Sequence, residues 1–250
     1  MSYLTIRDLS FAVKNQNENK QILHNLNLTV EQGSFTVILG GNGAGKSTLF
    51  NLLDGTYPPT TGSIALNGQE IRRLPLKEQA QKIARVFQDP KFGTAPRMTV
   101  LENLMLAENK GKTSLFHFVA PKSVTAKYKT LLAKSQNGLE ERLNQATDTL
   151  SGGQRQALSL FMATLQTPEL LLLDEHTAAL DPKSATNIMA LTDELVRQEK
   201  LTCLMITHNL QDALTYGDQL VVLKDGQVAA TFDAEAKEKL TKEELFPYFL

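Results

Sequence analysis

The sequence predicts an α/β fold: a mostly parallel core sheet, an N-terminal antiparallel β layer and an inserted helical subdomain. Short apolar runs alternate with longer helical patterns, the arrangement of a parallel sheet flanked by helices. The stretch Phe35–Leu39 is continuously apolar, as a strand buried on both faces requires, and it runs straight into a glycine-rich loop. From Gln88 to Leu150 the pattern becomes helical and more polar, with breaks at Pro90, Pro96 and Pro121.

Taken in order, residues 3–11, 22–30 and 63–71 read as strands of the antiparallel layer, with a polar loop at 14–20 and a hairpin turn signal at Asn67-Gly68. A helix is expected from Lys46. Ala84 to Gln88 reads as a strand, and a weakly apolar stretch covers 110–137. Strands follow at 170–173 and 201–206, separated by a helix over 183–199, and a second hairpin turns at Asp225-Gly226. The last residues read as a short apolar helix and tail. No internal repeat or low-complexity segment is present.

Composition narrows the function. With 26 Lys and Arg against 27 Asp and Glu, and no long like-charged block, the chain lacks the electrostatic footprint of a nucleic-acid or anionic-lipid binder. The single cysteine, Cys203, lies in an apolar run and reads as a small core residue of a protein from the reducing cytoplasm. No apolar stretch approaches the roughly 18 residues of a spanning helix, and the amino terminus has no apolar signal core.

Gly40, four residues, then Gly45-Lys46-Ser47 has the spacing of a phosphate loop, so a P-loop NTPase is expected. Glycines there let backbone N–H groups wrap phosphates while the following helix points its positive end at them. The cofactor-holding set is Gly40, Asn42, Gly43, Ala44, Gly45, Lys46, Ser47 and Thr48, with Lys46 on the β and γ phosphates and Ser47 on Mg²⁺. Four leucines then place Asp174 and Glu175 at the carboxyl end of a buried strand, where ligands gather in open α/β sheets. Asp174 is the expected Mg²⁺ ligand, and Glu175 the base that orients and deprotonates the attacking water. Gln88 and His208 end their strands and are read as reaching the same γ-phosphate edge, Gln88 also as a metal ligand.

These motifs, together with Leu150-Ser151-Gly152-Gly153-Gln154, resemble the nucleotide-binding subunit of an ABC transporter over nearly the whole chain. Ser151 is placed to cap a helix whose first N–H groups, unshielded at Gly152 and Gly153, form an anion site. The resemblance implies that Ser151, Gly152, Gly153 and Gln154 meet the γ-phosphate held by a second copy, so that a homodimer sandwiches two ATP molecules. It implies that Ala179-Leu180-Asp181 crosses between the two sites. It also implies one ABC ATPase domain over 1–250, with 1–87 and 156–250 as nucleotide-binding core and 88–155 as helical subdomain with the signature motif.

Two positions depart from the family pattern. Val13 stands where an aromatic residue usually stacks on adenine, with Phe11 two residues away on the strand. His176 stands where proline is usual, and is either tolerated in the loop or titrates beside the phosphate site.

The words Phe87-Gln88-Asp89-Pro90 and Asp174-Glu175-His176-Thr177 resemble a bacterial subgroup of amino-acid importer ATPases linked with tryptophan or other aromatic amino acids. That resemblance implies a separate membrane permease docking near residues 88–105, an extracytoplasmic substrate-binding lipoprotein, and a peripheral place on the inner face of the cell membrane. The alternative is a soluble ABC ATPase acting on ribosomes or DNA, which would carry tandem cassettes, a coiled coil or a basic surface. A GTPase would carry an Asn-Lys-x-Asp guanine reader, absent here, and neither a GTPase nor a small-molecule kinase explains residues 150–154.

Overall fold

A computed structural model describes residues 2–15, 18–110 and 122–248. The chain opens with β1 (Ser2–Asn15) and β2 (Glu18–Glu31), continues through β3 (Phe35–Leu39) and α1 (Lys46–Leu53), and returns to the first layer with β4 (Thr61–Leu66) and β5 (Gln69–Glu70). Next come α2 (Leu76–Lys82), β6 (Ile83–Val86), α3 (Val100–Glu108), α4 (Lys122–Ala133), α5 (Gly152–Thr164) and β7 (Leu170–Asp174). The rest is α6 (Pro182–Gln198), β8 (Cys203–Thr207), α7 (Leu210–Thr215), β9 (Gln219–Lys224), β10 (Gln227–Phe232), α8 (Ala234–Glu238) and α9 (Lys242–Leu245).

Two sheets result. The antiparallel one has the order β2-β1-β4-β5, and the other runs β10-β9-β3-β8-β7-β6, parallel throughout except for the edge strand β10. The strand side chains explain why the apolar runs are unbroken. Successive residues point to opposite faces, and both faces of the parallel sheet are covered. Val37, Leu171, Leu173, Met205 and Val222 enter one core with α5 and α6. Ile38, Leu170, Leu172, Ile206 and Val221 enter the other, shared with α1 and the antiparallel layer. Val100, Leu104, Tyr128, Leu132 and Leu139 from the helical segment join the first core, so that segment is packed onto the sheet.

The carboxyl ends of β3, β6, β7 and β8 therefore lie side by side, and Lys46, Gln88, Asp174, Glu175 and His208 of the predicted site stand at or after them in the chain. Both hairpin turns form as expected, with positive φ at Asn67 and Gly68 and at Asp225 and Gly226, the geometry that favours Asn-Gly and Asp-Gly. Several boundaries differ. Of the polar loop expected at 14–20, residues 14–15 belong to β1 and 18–20 to β2, while residues 16–17 lie outside the described residues. The strand expected over 63–71 splits at Asn67-Gly68 and ends at Glu70, where Ile71–Arg73 forms a 3-10 turn. β6 stops at Val86, so Gln88 lies two residues beyond the strand. Leu245 of the carboxyl-terminal segment is fully buried in the first core. Pro121, much of the 110–137 stretch and residues 249–250 lie outside the described residues.

Candidate functional site

After β3 the chain turns sharply into α1. Gly45 occupies the helix N-cap with φ +96, and a Cβ there would come within 2.5 Å of Leu23 Cδ2, so both backbone and space call for glycine. The loop lines a cleft of about 540 Å³ with residues 42–48, Lys20, Gln21, Ile22 and His24 from β2, Glu175, and Asp225 from the β9–β10 turn. Gly40 lies beneath it and contributes its carbonyl. Lys46, 6% exposed, donates from Nζ to Gly40 O at 2.8 Å and to Gly41 O at 3.0 Å, and stands 3.9 Å from Glu175 Oε1. Burial lowers its pKa from the ordinary lysine value, with Glu175 and Asp174 opposing the shift. Ser47 is exposed on the cleft wall and Thr48 half-buried beside it.

Asp174 ends β7, and Glu175 follows in the left-handed region with φ 45, a strained conformation for a non-glycine residue. The Glu175 N–H donates to Ile206 O at 3.1 Å, anchoring the strained residue to β8. Its carboxylate lies between two cationic or polar groups: Oε2 is 2.9 Å from His208 Nδ1 and Oε1 faces Lys46. His208, directly after β8, thus joins the site through Glu175. Gln88 is exposed and shares an adjacent cleft of about 460 Å³ with Phe87, Asp174 and Ala179.

The signature residues stand elsewhere. Ser151 caps α5, accepting from Gln154 N–H at 3.3 Å, while Gln154 Oε1 accepts from Ser151 N–H at 3.2 Å, a reciprocal capping box. Ser151 and Gly152 are exposed, whereas Gln154 is buried and donates to Asn137 O. Gly153 packs so closely on α6 that a Cβ would sit 3.0 Å from Ser184 Oγ. None of residues 151–154 lines the cleft at the glycine-rich loop. Asp181, also outside it, caps α6 by accepting from Ser184 N–H at 3.0 Å, and the hydrogen bonds from Ser184 lower its pKa.

Val13 is 38% exposed on β1 opposite Lys20 and is not part of the cleft wall. Phe11 stacks on Tyr57, with ring centroids 5.6 Å apart. His176 turns away from the phosphate loop. It is 2% exposed, with Nε2 at 3.0 Å from Thr192 Oγ1, and burial pushes its pKa down to about 4. It is therefore neutral near pH 7, which removes the titrating alternative and leaves a packed loop residue.

Sequence reasoning missed several residues at the site. Arg85, in the middle of β6, donates to Asp174 and also to Asp54 and Asn51 at the end of α1. The available signal was a lone arginine in the apolar run Ile-Ala-Arg-Val-Phe. Lys20, His24 and Asp225 were also missed, since nothing in their local sequence points to a nucleotide.

Residues 23–178 match the ABC transporter family. The chain is 45% identical over 248 residues to the tyrosine transport ATP-binding protein of Clostridioides difficile (strain R20291), covering 98% of each. It is 35% identical over 230 residues to a phosphonates import ATP-binding protein of Ruegeria sp. (strain TM1040), covering 90% of this chain and 86% of that protein. Its fold is similar to the dimeric post-hydrolysis structure of the ATP-binding cassette MJ0796 bound to ADP and Pi, with TM-score 0.80 and 27% identity over 92% of this chain and 98% of the other. With a phosphate loop, a strand-end acidic pair and a capped signature helix on this fold, the chain belongs to the ABC transporter family as an ATP-binding, ATP-hydrolysing cassette.

Proposed function

We propose that the chain energises import of an aromatic amino acid, working as a homodimer beneath a separate membrane permease. The observation that carries the dimer is the position of the signature: the Ser151-capped amino end of α5 is exposed and stands apart from the phosphate cleft of its own chain. Its free N–H groups suit an anion, and a second copy brings such an anion to it. Two chains related by a two-fold axis would each lend Ser151, Gly152 and Gly153 to the ATP held by the other. The dimeric MJ0796 cassette is similar in fold, which supports this reading.

Within each site, residues 42–48 would wrap the phosphates, with Lys46 exchanging its loop carbonyls for phosphate oxygens. Mg²⁺ fits the donor set: the Ser47 hydroxyl in the first turn of α1, the Asp174 carboxylate whose charge acts on neighbouring Lys46, and Gln88. When bound, it would offset charge on the phosphate oxygens. Glu175 would take a proton from the attacking water, its carboxylate steered by the His208 contact and by its strained backbone. At the base end, Lys20 and His24 line the cleft where Val13 does not, so β2 supports the nucleobase more directly than the Val13 position does.

Phe92 (78% exposed) offers apolar surface on the cleft of about 460 Å³ that Gln88, Asp89 and Pro90 of the docking segment 88–105 also line, and Leu106 does so on a neighbouring cleft of about 260 Å³ that includes Gly93. A helix from the permease would seat there, and ATP-driven closure of the dimer would move it. Among the described residues no helix is long and apolar enough to cross a membrane, so the chain would sit peripherally on the cytoplasmic face, with a substrate-binding lipoprotein on the other side. The 45% identity to a tyrosine transport ATP-binding protein over the full length supports an aromatic cargo.

The test is an affinity pull-down of the tagged chain from detergent-solubilised membranes of its own cell, followed by reconstitution of the recovered complex in vesicles. Co-purification of a multi-span permease and ATP-dependent tyrosine or tryptophan uptake is expected. Recovery of ribosomal or DNA-bound partners alone would refute the transport reading.

A further inference from the structure

Arg85 is 10% exposed and shares its guanidinium between two carboxylates that are themselves mostly buried, Asp54 at 16% and Asp174 at 13%. Nη1 donates to Asp54 Oδ2 at 2.6 Å and to Asn51 Oδ1 at 2.7 Å, and Nη2 donates to Asp174 Oδ2. The rings of Phe50 and Phe87 lie 5.7 and 4.9 Å from the guanidinium carbon. The Nε–H is buried with no partner. A short strand flanked by buried Ala84 and Val86 does not need such a group in order to fold, because an apolar side chain would avoid both the desolvation of three charges and the unmet donor.

We propose that Arg85 is a positioning residue for the metal carboxylate. This rests on the reading that Asp174 helps to hold Mg²⁺. By taking Oδ2, Arg85 fixes the orientation of the Asp174 carboxylate and leaves Oδ1 for the metal. The same guanidinium ties Asp174 to the carboxyl end of α1, the helix whose first turn carries Lys46 and Ser47. One strand residue thereby sets the spacing between the two elements that flank the metal. The stacked Phe87, next to Gln88, brings the adjoining loop into the same assembly.

One guanidinium against two carboxylates leaves a single net negative charge. The pair of changes Arg85→Met and Asp54→Asn removes one charge of each sign and keeps that balance, so the double variant reads orientation rather than charge. Arg85→Lys keeps the positive charge but loses the planar fork. The measurement is Mn²⁺ binding in the presence of a non-hydrolysable ATP analogue, followed by electron paramagnetic resonance. Analogue affinity in EDTA and circular dichroism run alongside, with Asp174→Asn as reference.

Half-saturating Mn²⁺ is expected to rise about 10- to 100-fold in the double variant, the range typical of outer-shell partners of metal ligands. It should rise at least about threefold in Arg85→Lys, while metal-free analogue affinity stays at the wild-type value in both. If the double variant does not fold, Arg85→Lys decides. Wild-type Mn²⁺ binding in the folded Arg85 variants, with Asp174→Asn weakened, overturns the positioning role. Wild-type binding in Asp174→Asn itself would remove the metal from Asp174, and with it the reading on which the proposal stands.

Discussion

Replacing His176 by Gln takes a titratable ring out of the protein interior, and the consequence for acid stability can be worked from its surroundings. Thr192 Oγ1 donates to Ile188 O at 2.7 Å, so the same oxygen accepts from His176 Nε2–H at 3.0 Å. Burial holds the ring neutral, pushing its pKa down to about 4 from the ordinary 6.5. Between those two values the unfolded chain takes up a proton that the folded chain refuses. Stability is consequently lost as pH falls from 6.5 toward 4, and the loss is complete below the folded pKa. At about 1.4 kcal/mol per pH unit, this interval amounts to about 3 kcal/mol. A glutamine can still donate to Thr192 but binds no proton. Urea unfolding followed by far-ultraviolet circular dichroism, at steps between pH 7 and pH 4, should show the wild type losing about 3 kcal/mol more than His176→Gln. The ATPase profile of the two proteins should coincide above pH 6, where the ring is neutral in the folded chain. Parallel stability curves would refute the buried-neutral assignment.

Three further outcomes follow from the site. Glu175→Gln should leave ATP affinity unchanged, lower turnover by about a hundredfold or more, and trap an ATP-bound dimer on gel filtration; turnover near the wild-type rate would remove Glu175 from the base role. Lys46→Ala deletes the ammonium fixed by Gly40 and Gly41 and should weaken nucleotide binding itself, read by calorimetry; an unchanged affinity would contradict its phosphate role. Gly153→Ala forces a Cβ against Ser184 and should cost about 1–3 kcal/mol by thermal unfolding. Adding Ser184→Gly should recover part of that loss, and no recovery would show that the close contact is not the cause.

What was legible in the sequence is what local chemistry encodes. The phosphate loop announces itself because Gly45 must adopt positive φ between a buried strand and a helix, and the turn residues Asn67-Gly68 and Asp225-Gly226 fix both hairpins for the same backbone reason. The alternation of Leu170 to Leu173 between two cores is likewise implicit in an unbroken apolar run. Boundaries were less legible: residues 14–20 read as loop, but cross-strand pairing of Val13, Lys14 and Asn15 with Lys20, Asn19 and Glu18 places those six in β1 and β2.

The parts that stayed hidden are those set by long-range placement. His176 could be read either way from sequence, because its neutrality depends on burial, and its partner Thr192 lies sixteen residues on in α6. Arg85 lies in a stretch read only as a strand, with no role of its own. The topology gives it one: β6 pairs with β7 in parallel, setting Arg85 opposite Leu172 in register, and α1 packs close enough for its last turn to reach the same guanidinium. Its partners lie 31, 34 and 89 residues away. A charge with an unmet donor, held by three distant side chains, departs from what the strand alone would select. Such departures gather where a site constrains the fold, and this one touches the carboxylate that ends β7 beside Glu175. That is the physical reason to look for Arg85's effect in metal binding before looking for it in stability.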